Sequence, residues 1–366
     1  MAIPYGRQLL DEDDIAAVVE TLRGDWLTQG PAVEAFEEAV ADVCEVPYAV
    51  AFSSGTAALH AACHVAGVRA GDEVITSPLT FAASANAAAY VGGTPTFADI
   101  EPATRNVSAE TVAAALTART RAVIPVDYAG LPAPVAEIRA AVGPDVVLIE
   151  DAAHALGARR ADGPVGDCRH VDMTMFSFHP VKPVTSGEGG MLTVRDEGLR
   201  NSLREFRSHG MRRGERWWME QHALGFNYRL SDIQSALGRS QLAKLDAFIA
   251  VRNAIADRYR AELADLALEL PPAAPDGALH GYHLFAVRTD EREALYDGLR
   301  ERGVLAQVHF IPVYWHPWYR ETYGYARGLC PAAEYYYDGS LSLPCFPALT
   351  VEEQGTVIAA VRELAR

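Results

Sequence analysis

The stretch YAVAFSSGTAALHAACHVAGV, residues 48–68, changes its periodicity at a cluster of small residues. YAVAF is an apolar run of strand length, and the alanine-rich GTAALHAACHVAGV that follows reads as a helix. A strand that enters a helix through a Ser/Gly/Thr turn is half of a βαβ unit, so the pattern should recur. It does: GDEVITSPLTF (71–81), TPTFADI (94–100), RAVIPVDYAG (121–130) and DVVLIEDAAHALG (145–157) read as further apolar strands, each separated from the next by a helical segment. Strands alternating with helices over so long a run imply crossover connections and a mainly parallel sheet, hence an α/β layered domain.

Before this run, DEDDIAAVVETLRGD (11–25) is an amphipathic helix with an acidic first turn, TQGP a turn and PAVEAFEEAVADVC (31–44) a second helix. Beyond it, DMTMFSF (172–178) and GGMLTVRD (189–196) suggest two more strands framing a bend. LSDIQSALGRSQLAKLDAFIAVRNAIADRYRAEL (230–263) reads as one long helix leaving the sheet. From Leu266 the character changes, with the linker PPAAPDGALHG and then a strand, a helix, a strand and a terminal helix. The expected division is a large domain over 1–245, with helices flanking the central sheet, and a small C-terminal α+β domain over 246–366. A chain of 366 residues is longer than one core ordinarily serves.

A formal charge of −16, from 48 acidic against 32 basic residues, argues against nucleic acid or an anionic membrane as partner; an anionic substrate then needs a local basic pocket. No stretch approaches the roughly 18 apolar residues of a membrane span, and the opening MAIPYGRQLLDEDD lacks the pattern of a signal peptide, so a cytoplasmic location is expected. Cys44, Cys63, Cys168, Cys330 and Cys345 show no CxxC spacing and read as free structural thiols, with no metal site expected.

The chemistry centres on SFHPVKPVTSGEGG (177–190), where Lys182 sits between two prolines ahead of a glycine-rich turn. A lysine in a cleft acts as a Schiff-base nucleophile once its pKa falls, and an aldehyde cofactor is the usual reason to keep one there; taken alone, Lys182 reads more readily as a surface residue in a proline turn. Three further features decide. EDAAHA (150–155) ends an apolar strand, at the edge where open α/β sheets collect catalytic side chains. Asp151 there suits a pyridinium nitrogen, besides reading as a helix N-cap, and His154 follows where it can face a cofactor's phenolic oxygen. SSGTAAL (53–59) offers Ser54, Gly55 and Thr56 at a helix start as a phosphate cradle, being neither a Walker loop nor a GxGxxG fingerprint. In SPLTFAASANAAAY (77–90), Phe81 lies just past a strand end, where an aromatic can stack on a pyridine ring or simply pack in the core.

These pieces, together with LTQGP, VDYAG, FRSHGM, LGFNYRLSDIQSALGRSQL and VLAQVHFIPVYWHPWY, make the chain resemble the DegT/DnrJ/EryC1/StrS sugar aminotransferases, pyridoxal 5′-phosphate enzymes of fold-type I, over almost its whole length. IPYGRQ, SFHPVKP and AQVHFIPVY are similar to those members that aminate C4 of a UDP-linked 4-keto-6-deoxy-N-acetylhexose to give the altrosamine precursor of pseudaminic acid, whereas Gly187 follows the general family pattern. The resemblance implies transfer of an amino group from L-glutamate. Lys182 would be the lysine bonded to the cofactor and Asp151 the partner of its ring nitrogen; Phe81 would stack on the ring, and Gly55, Thr56 and Ser177 would hold its phosphate. It further implies a homodimer with shared sites, Asn227 and Arg229 serving the neighbouring protomer. The nucleotide sugar would meet Tyr5, Asp25, Trp26, Leu27, Thr28, Ser54, His309, Phe310 and Tyr314. Arg229 reads as a cation for a diphosphate or as a plain surface arginine, and Tyr314, Trp315, Trp318 and Tyr319 as substrate contacts or as core of the small domain. Rival readings fare worse: a sugar 3-dehydratase on this scaffold replaces the lysine with histidine, a non-catalytic binding protein has no need of an intact Lys182 and Asp151, and a nicotinamide oxidoreductase needs the absent glycine fingerprint.

Overall fold

The computed structural model describes residues 2–365. Seven strands form its central sheet: β1 (Tyr48–Phe52), β2 (Glu73–Thr76), β3 (Thr94–Phe97), β4 (Thr120–Ile124), β5 (Val147–Asp151), β6 (Met173–Ser177) and β7 (Gly190–Val194). Their spatial order is β1-β7-β6-β5-β4-β2-β3. All neighbouring pairs are parallel except those of β7, which runs antiparallel to both β1 and β6. Helices α1 (Glu12–Arg23), α2 (Pro31–Val43), α3 (Gly55–Val65), α4 (Ala83–Tyr90), α5 (Ala109–Ala115), α6 (Val135–Val142), α7 (Glu197–Arg207) and α8 (Asp232–Leu242) flank it. Both faces of the sheet are covered, which is why its strands read as continuous apolar runs. The period-two rule still assigns side chains: Ala51, Leu148 and Phe176 join one buried cluster, while Phe52, Ile149 and Met175 join the other.

The expected single helix over 230–263 is two helices, α8 and α9 (Leu245–Leu263), broken at Ala243–Lys244. No proline or glycine marks the break. Lys244 there reaches across to α1, pairing with Asp11 and with Asp14 (2.8 Å). The start of α2 is tied to the same region, since Asp232 accepts the N–H groups of Gly30 (2.8 Å) and Ala32 (3.0 Å).

The C-terminal part is richer than its expected strand-helix-strand-helix. β8 (Phe285–Arg288) pairs antiparallel with β9 (Ser340–Leu343), and α10 (Arg292–Glu301), α11 (Pro317–Tyr323), α12 (Pro331–Gly339) and α13 (Val351–Leu364) complete it. Its core gathers Tyr259 of α9, Phe285, Leu299, Leu341 and Val361. Ile3–Pro4 pairs in parallel with Val304–Leu305, strapping the N-terminus onto this part and delivering Tyr5 to the cleft described next. All five cysteines are buried and free, and burial pushes the Cys63 thiol up to about 12. Among the described residues no helix is long and apolar enough to cross a membrane, and no group of three or more His, Cys, Asp or Glu is arranged to hold a metal ion.

Candidate active site

The parallel strands all end on one edge, and the turns leaving β1, β2, β5 and β6 line a cleft of about 570 Å³ there. Asp151 is the last residue of β5. Its Oδ2 accepts from the Ser84 hydroxyl (2.6 Å) and its Oδ1 from the Ala153 N–H (3.2 Å), so the carboxyl is held in one orientation. Burial pushes it above the usual carboxylate range, against the pull of Ser84, Ala153 and the Lys182 ammonium. Glu150, its neighbour in the strand, points to the other face, where it is fully buried and paired with Arg160 (2.5 Å).

Lys182 sits on the bend between β6 and β7. That bend closes on itself: the Phe178 N–H donates to the Gly189 carbonyl (2.9 Å), and the Ser186 N–H to the Phe178 carbonyl (3.0 Å). Gly187 takes φ +81°, a conformation that a side chain disfavours. Burial pulls the Lys182 amine down to about 8, and the Asp151 charge only partly restores it. A sizeable neutral fraction near physiological pH is what a nucleophilic amine requires.

The turn after β1 supplies the third element. Ser54 caps α3, its hydroxyl accepting the Ala57 N–H (3.1 Å), and the Gly55 and Thr56 N–H groups ahead of it belong to the first turn, which a helix cannot satisfy internally. A Cβ on Gly55 would meet Met175 Sδ at 3.1 Å and Ser177 Cβ at 3.3 Å, so glycine lets the helix start settle against the end of β6. An amine, a fixed carboxylate and a helix N-terminus lining one cleft fit the aldehyde, ring nitrogen and phosphate of pyridoxal phosphate. Phe81 also lines the cleft and is 64% exposed, its ring free to be covered by a flat ligand. Behind the turn, a Cβ at Gly190 would press into the Ser54 carbonyl and stand 2.6 Å from the Gly55 nitrogen. Gly190→Ala is therefore expected to shift the cradle and weaken cofactor binding about ten- to a hundredfold, as overpacking of about 1–3 kcal/mol would do; a fluorescence titration with pyridoxal phosphate measures it.

The small C-terminal part closes the cleft. Tyr5 and His309 pack with ring centroids 5.0 Å apart, and His309 Nδ1 lies 2.9 Å from Ser342 Oγ. His154 stacks on Phe310 (6.0 Å) and contacts His283 (4.3 Å). Burial and the Lys182 charge hold His309 down to about 4 and His154 well below its ordinary value; burial, His154 and Lys182 do the same to His283. All three present neutral imidazoles.

The structure thus brings together Tyr5, Ser54, Gly55, Thr56, Phe81, Asp151, His154, Ser177, Lys182, His309 and Phe310. It does not bring in the rest. Tyr314 departs from the expected substrate contact: fully buried, it turns into the aromatic core between Phe97 and Tyr325 and its hydroxyl donates to Glu334. Asp25, Trp26, Leu27 and Thr28 lie outside the cleft lining, exposed on the surface. Asn227 is exposed, and Arg229 lines a separate pocket of about 190 Å³ with Arg204, Arg207 and Glu37. Ser84, His283 and Glu188 line the cleft without having been anticipated. The Ser84 signal was present as a hydroxyl in an alanine-rich helix start beside a strand end; His283 carries no local signal.

A model described as the DegT/DnrJ/EryC1/StrS aminotransferase family matches residues 8–362. The chain is 37% identical to the spore coat polysaccharide biosynthesis protein SpsC of Bacillus subtilis, over 100% of the chain and 97% of SpsC. Among solved structures it superposes on Helicobacter pylori PseC, an aminotransferase involved in the biosynthesis of pseudaminic acid, with TM-score 0.93 and 30% identity, covering 100% and 99% of the two chains. The putative sugar aminotransferase Spr1654 of Streptococcus pneumoniae in its PLP-form matches with TM-score 0.93 and 26% identity, each chain covered in full.

Proposed function

The chain belongs to the DegT/DnrJ/EryC1/StrS aminotransferase family, whose members work with pyridoxal phosphate, and from that premise we propose that it moves the amino group of L-glutamate to C4 of a UDP-linked 4-keto-6-deoxy-N-acetylhexose, giving UDP-4-amino-4,6-dideoxy-N-acetyl-β-L-altrosamine for pseudaminic acid. The observation that carries the reaction class is Lys182 and Asp151 lining one cleft with the α3 N-terminus. The finer substrate is supported by the match to PseC over the whole chain.

When bound, the cofactor supplies a carbonyl that accepts the amino group and a ring that accepts negative charge. Lys182, set on a closed bend, would provide the amine that holds the cofactor, and its partly neutral amine would serve as the base and acid that moves a proton during amino transfer. Asp151, fixed by Ser84 and Ala153, keeps a proton on the ring nitrogen. Gly55 and Thr56 N–H groups and Ser177 hold the phosphate, Phe81 covers the ring, and Tyr5, Ser54, His309 and Phe310 face the sugar nucleotide. The neutral imidazole of His154 suits a phenolic oxygen. Donor and acceptor use one site in turn, so the kinetics should be ping-pong.

Asn227 and Arg229, which stand away from their own cleft, complete the site of a second protomer in this reading. A panel of UDP- and dTDP-linked 4-keto sugars incubated with glutamate, with products read by mass and NMR, tests the proposal. Amination of the UDP-linked N-acetyl sugar at C4 is expected. Turnover confined to dTDP sugars would overturn the substrate, and failure of the protein to develop an absorption band at the visible edge with cofactor would overturn the class.

A further inference from the structure

One cluster of rings lies outside the cleft and is unexplained by it. His60 sits on α3, the helix whose first turn is the phosphate cradle, and it is buried among Tyr90, Phe206, Phe226 and Tyr228. Within this apolar nest it makes a polar contact, its Nδ1 standing 3.1 Å from the Tyr228 hydroxyl. Phe226 and Tyr228 stack at 5.0 Å and 12°, and both pack against His60. Between them in the chain is Asn227, which is exposed. In extended backbone, alternate side chains point to opposite sides, so anchoring 226 and 228 on α3 turns 227 outward. The backbone is tied to the same place: the Tyr228 carbonyl accepts the Ser53 N–H (2.7 Å), and the Tyr228 N–H donates to the Arg207 carbonyl (3.0 Å).

We propose that His60 and Tyr228 are a positioning pair, which holds the 226–229 segment of one protomer in the geometry that completes the cofactor site of its partner. The proposal rests on the reading that Asn227 acts across a dimer. Packing alone would be served by leucine or phenylalanine at 60; a hydrogen bond between rings adds a fixed direction for the Tyr228 ring, and with it for the adjacent residue. Burial favours the neutral imidazole and the protonated phenol, a pair that can share one proton in either direction, so the contact persists across the neutral range. Removing one partner takes the fixed contact from a part-buried ring cluster, and the segment is then free to move.

Tyr228→Phe keeps the ring and deletes the bond. It is expected to leave the far-ultraviolet spectrum and the dimer mass by light scattering unchanged while weakening pyridoxal phosphate binding about tenfold. His60→Phe should do the same. The decisive sample is a hybrid dimer, isolated through two different affinity tags, of Tyr228→Phe with Lys182→Ala. Its one lysine-bearing site lies in the Tyr228→Phe protomer but receives an intact 226–229 segment from the other chain. Cofactor affinity read from the visible-edge band of that site should return to the wild-type value. Affinity that stays tenfold weak in the hybrid, wild-type affinity in the Tyr228→Phe homodimer, or dissociation to monomers would each overturn the positioning role. The same hybrid made with Asn227→Ala separates the two claims: no restoration there overturns the shared site itself, whereas restoration with Asn227→Ala but not with Tyr228→Phe overturns the pair alone.

Discussion

Lys182→Ala is expected to lower kcat by about 10⁴-fold or more and to abolish the visible-edge band of the cofactor-loaded enzyme. Proton transfer by a positioned side chain is worth about 10²–10⁴-fold, and in the proposed mechanism Lys182 would also provide the covalent attachment that precedes it. An ordinary lysine is neutral in only about one molecule in a thousand at pH 7.4, whereas at a pKa of about 8 the neutral form is roughly a fifth. The variant should still bind the cofactor, because Gly55, Thr56 and Asp151 are untouched. Borohydride reduction followed by intact mass should find the cofactor retained on the wild type and absent from the variant. A variant within tenfold of wild-type turnover, or an unmodified wild-type lysine at saturating cofactor, would sink the assignment. The same burial leaves a stability signature in the cofactor-free protein. Between about pH 8 and the unfolded lysine value near 10.5, the unfolded chain binds the extra proton, so stability rises with pH across that window. Lys182→Met should flatten that rise.

How much of this was legible from the chain differs from residue to residue, and the division follows locality. The strand-to-helix alternation is a local property of apolar periodicity, and Asp151 and Gly55 sit at or just past strand ends that the alternation itself defines, while Lys182 stands out by its two flanking prolines on the bend between β6 and β7. Phe81 follows by the same argument. Ser84 was not legible because its role depends on α4 passing over the end of β5, a contact between residues 67 apart in the chain. His283 likewise reaches His154 only through the docking of the C-terminal part. The tail segment from His309 to Tyr314 has no regular period, so nothing in it distinguishes His309 and Phe310, which face the cleft, from Tyr314, which turns into the core toward Glu334. The break at Lys244 has no local signal, because its anchor, Asp14, lies on a helix far away in sequence. Asp25 to Thr28, Asn227 and Arg229 do not line the cleft, and no local pattern in the chain marks them apart from the residues that do.

Asp151→Asn tests the other half of the chemistry, and its outcomes for rate and for stability should run in opposite directions. Asparagine preserves the shape and can still accept from Ser84 through its carbonyl oxygen, but it cannot hold a proton on the ring nitrogen by charge. A charge-assisted hydrogen bond is worth about 1.5–3 kcal/mol, and more where charge develops in a closed site, so kcat should fall about 10²–10³-fold with little change in KM for the sugar nucleotide. Ser84→Ala, which only frees Oδ2 from its donor, should lose about five- to tenfold, placing it below Asp151 in the same order of effects. The stability argument has the other sign. Burial raises the folded-state pKa of Asp151, so the unfolded chain loses its proton first as pH rises, and the folded protein pays for an ionised carboxylate at neutral pH. Cofactor-free Asp151→Asn should therefore melt above the wild type at pH 7, and the difference should shrink as pH falls through the acid range. A slower but more stable variant identifies a carboxylate kept for chemistry at the expense of the fold. No helix follows Asp151, so the expected N-cap role is not found and its carboxylate instead holds the turn through Ala153; equal loss of rate and stability would mark Asp151 as a residue kept for that turn, and the pyridinium role would have to be assigned elsewhere.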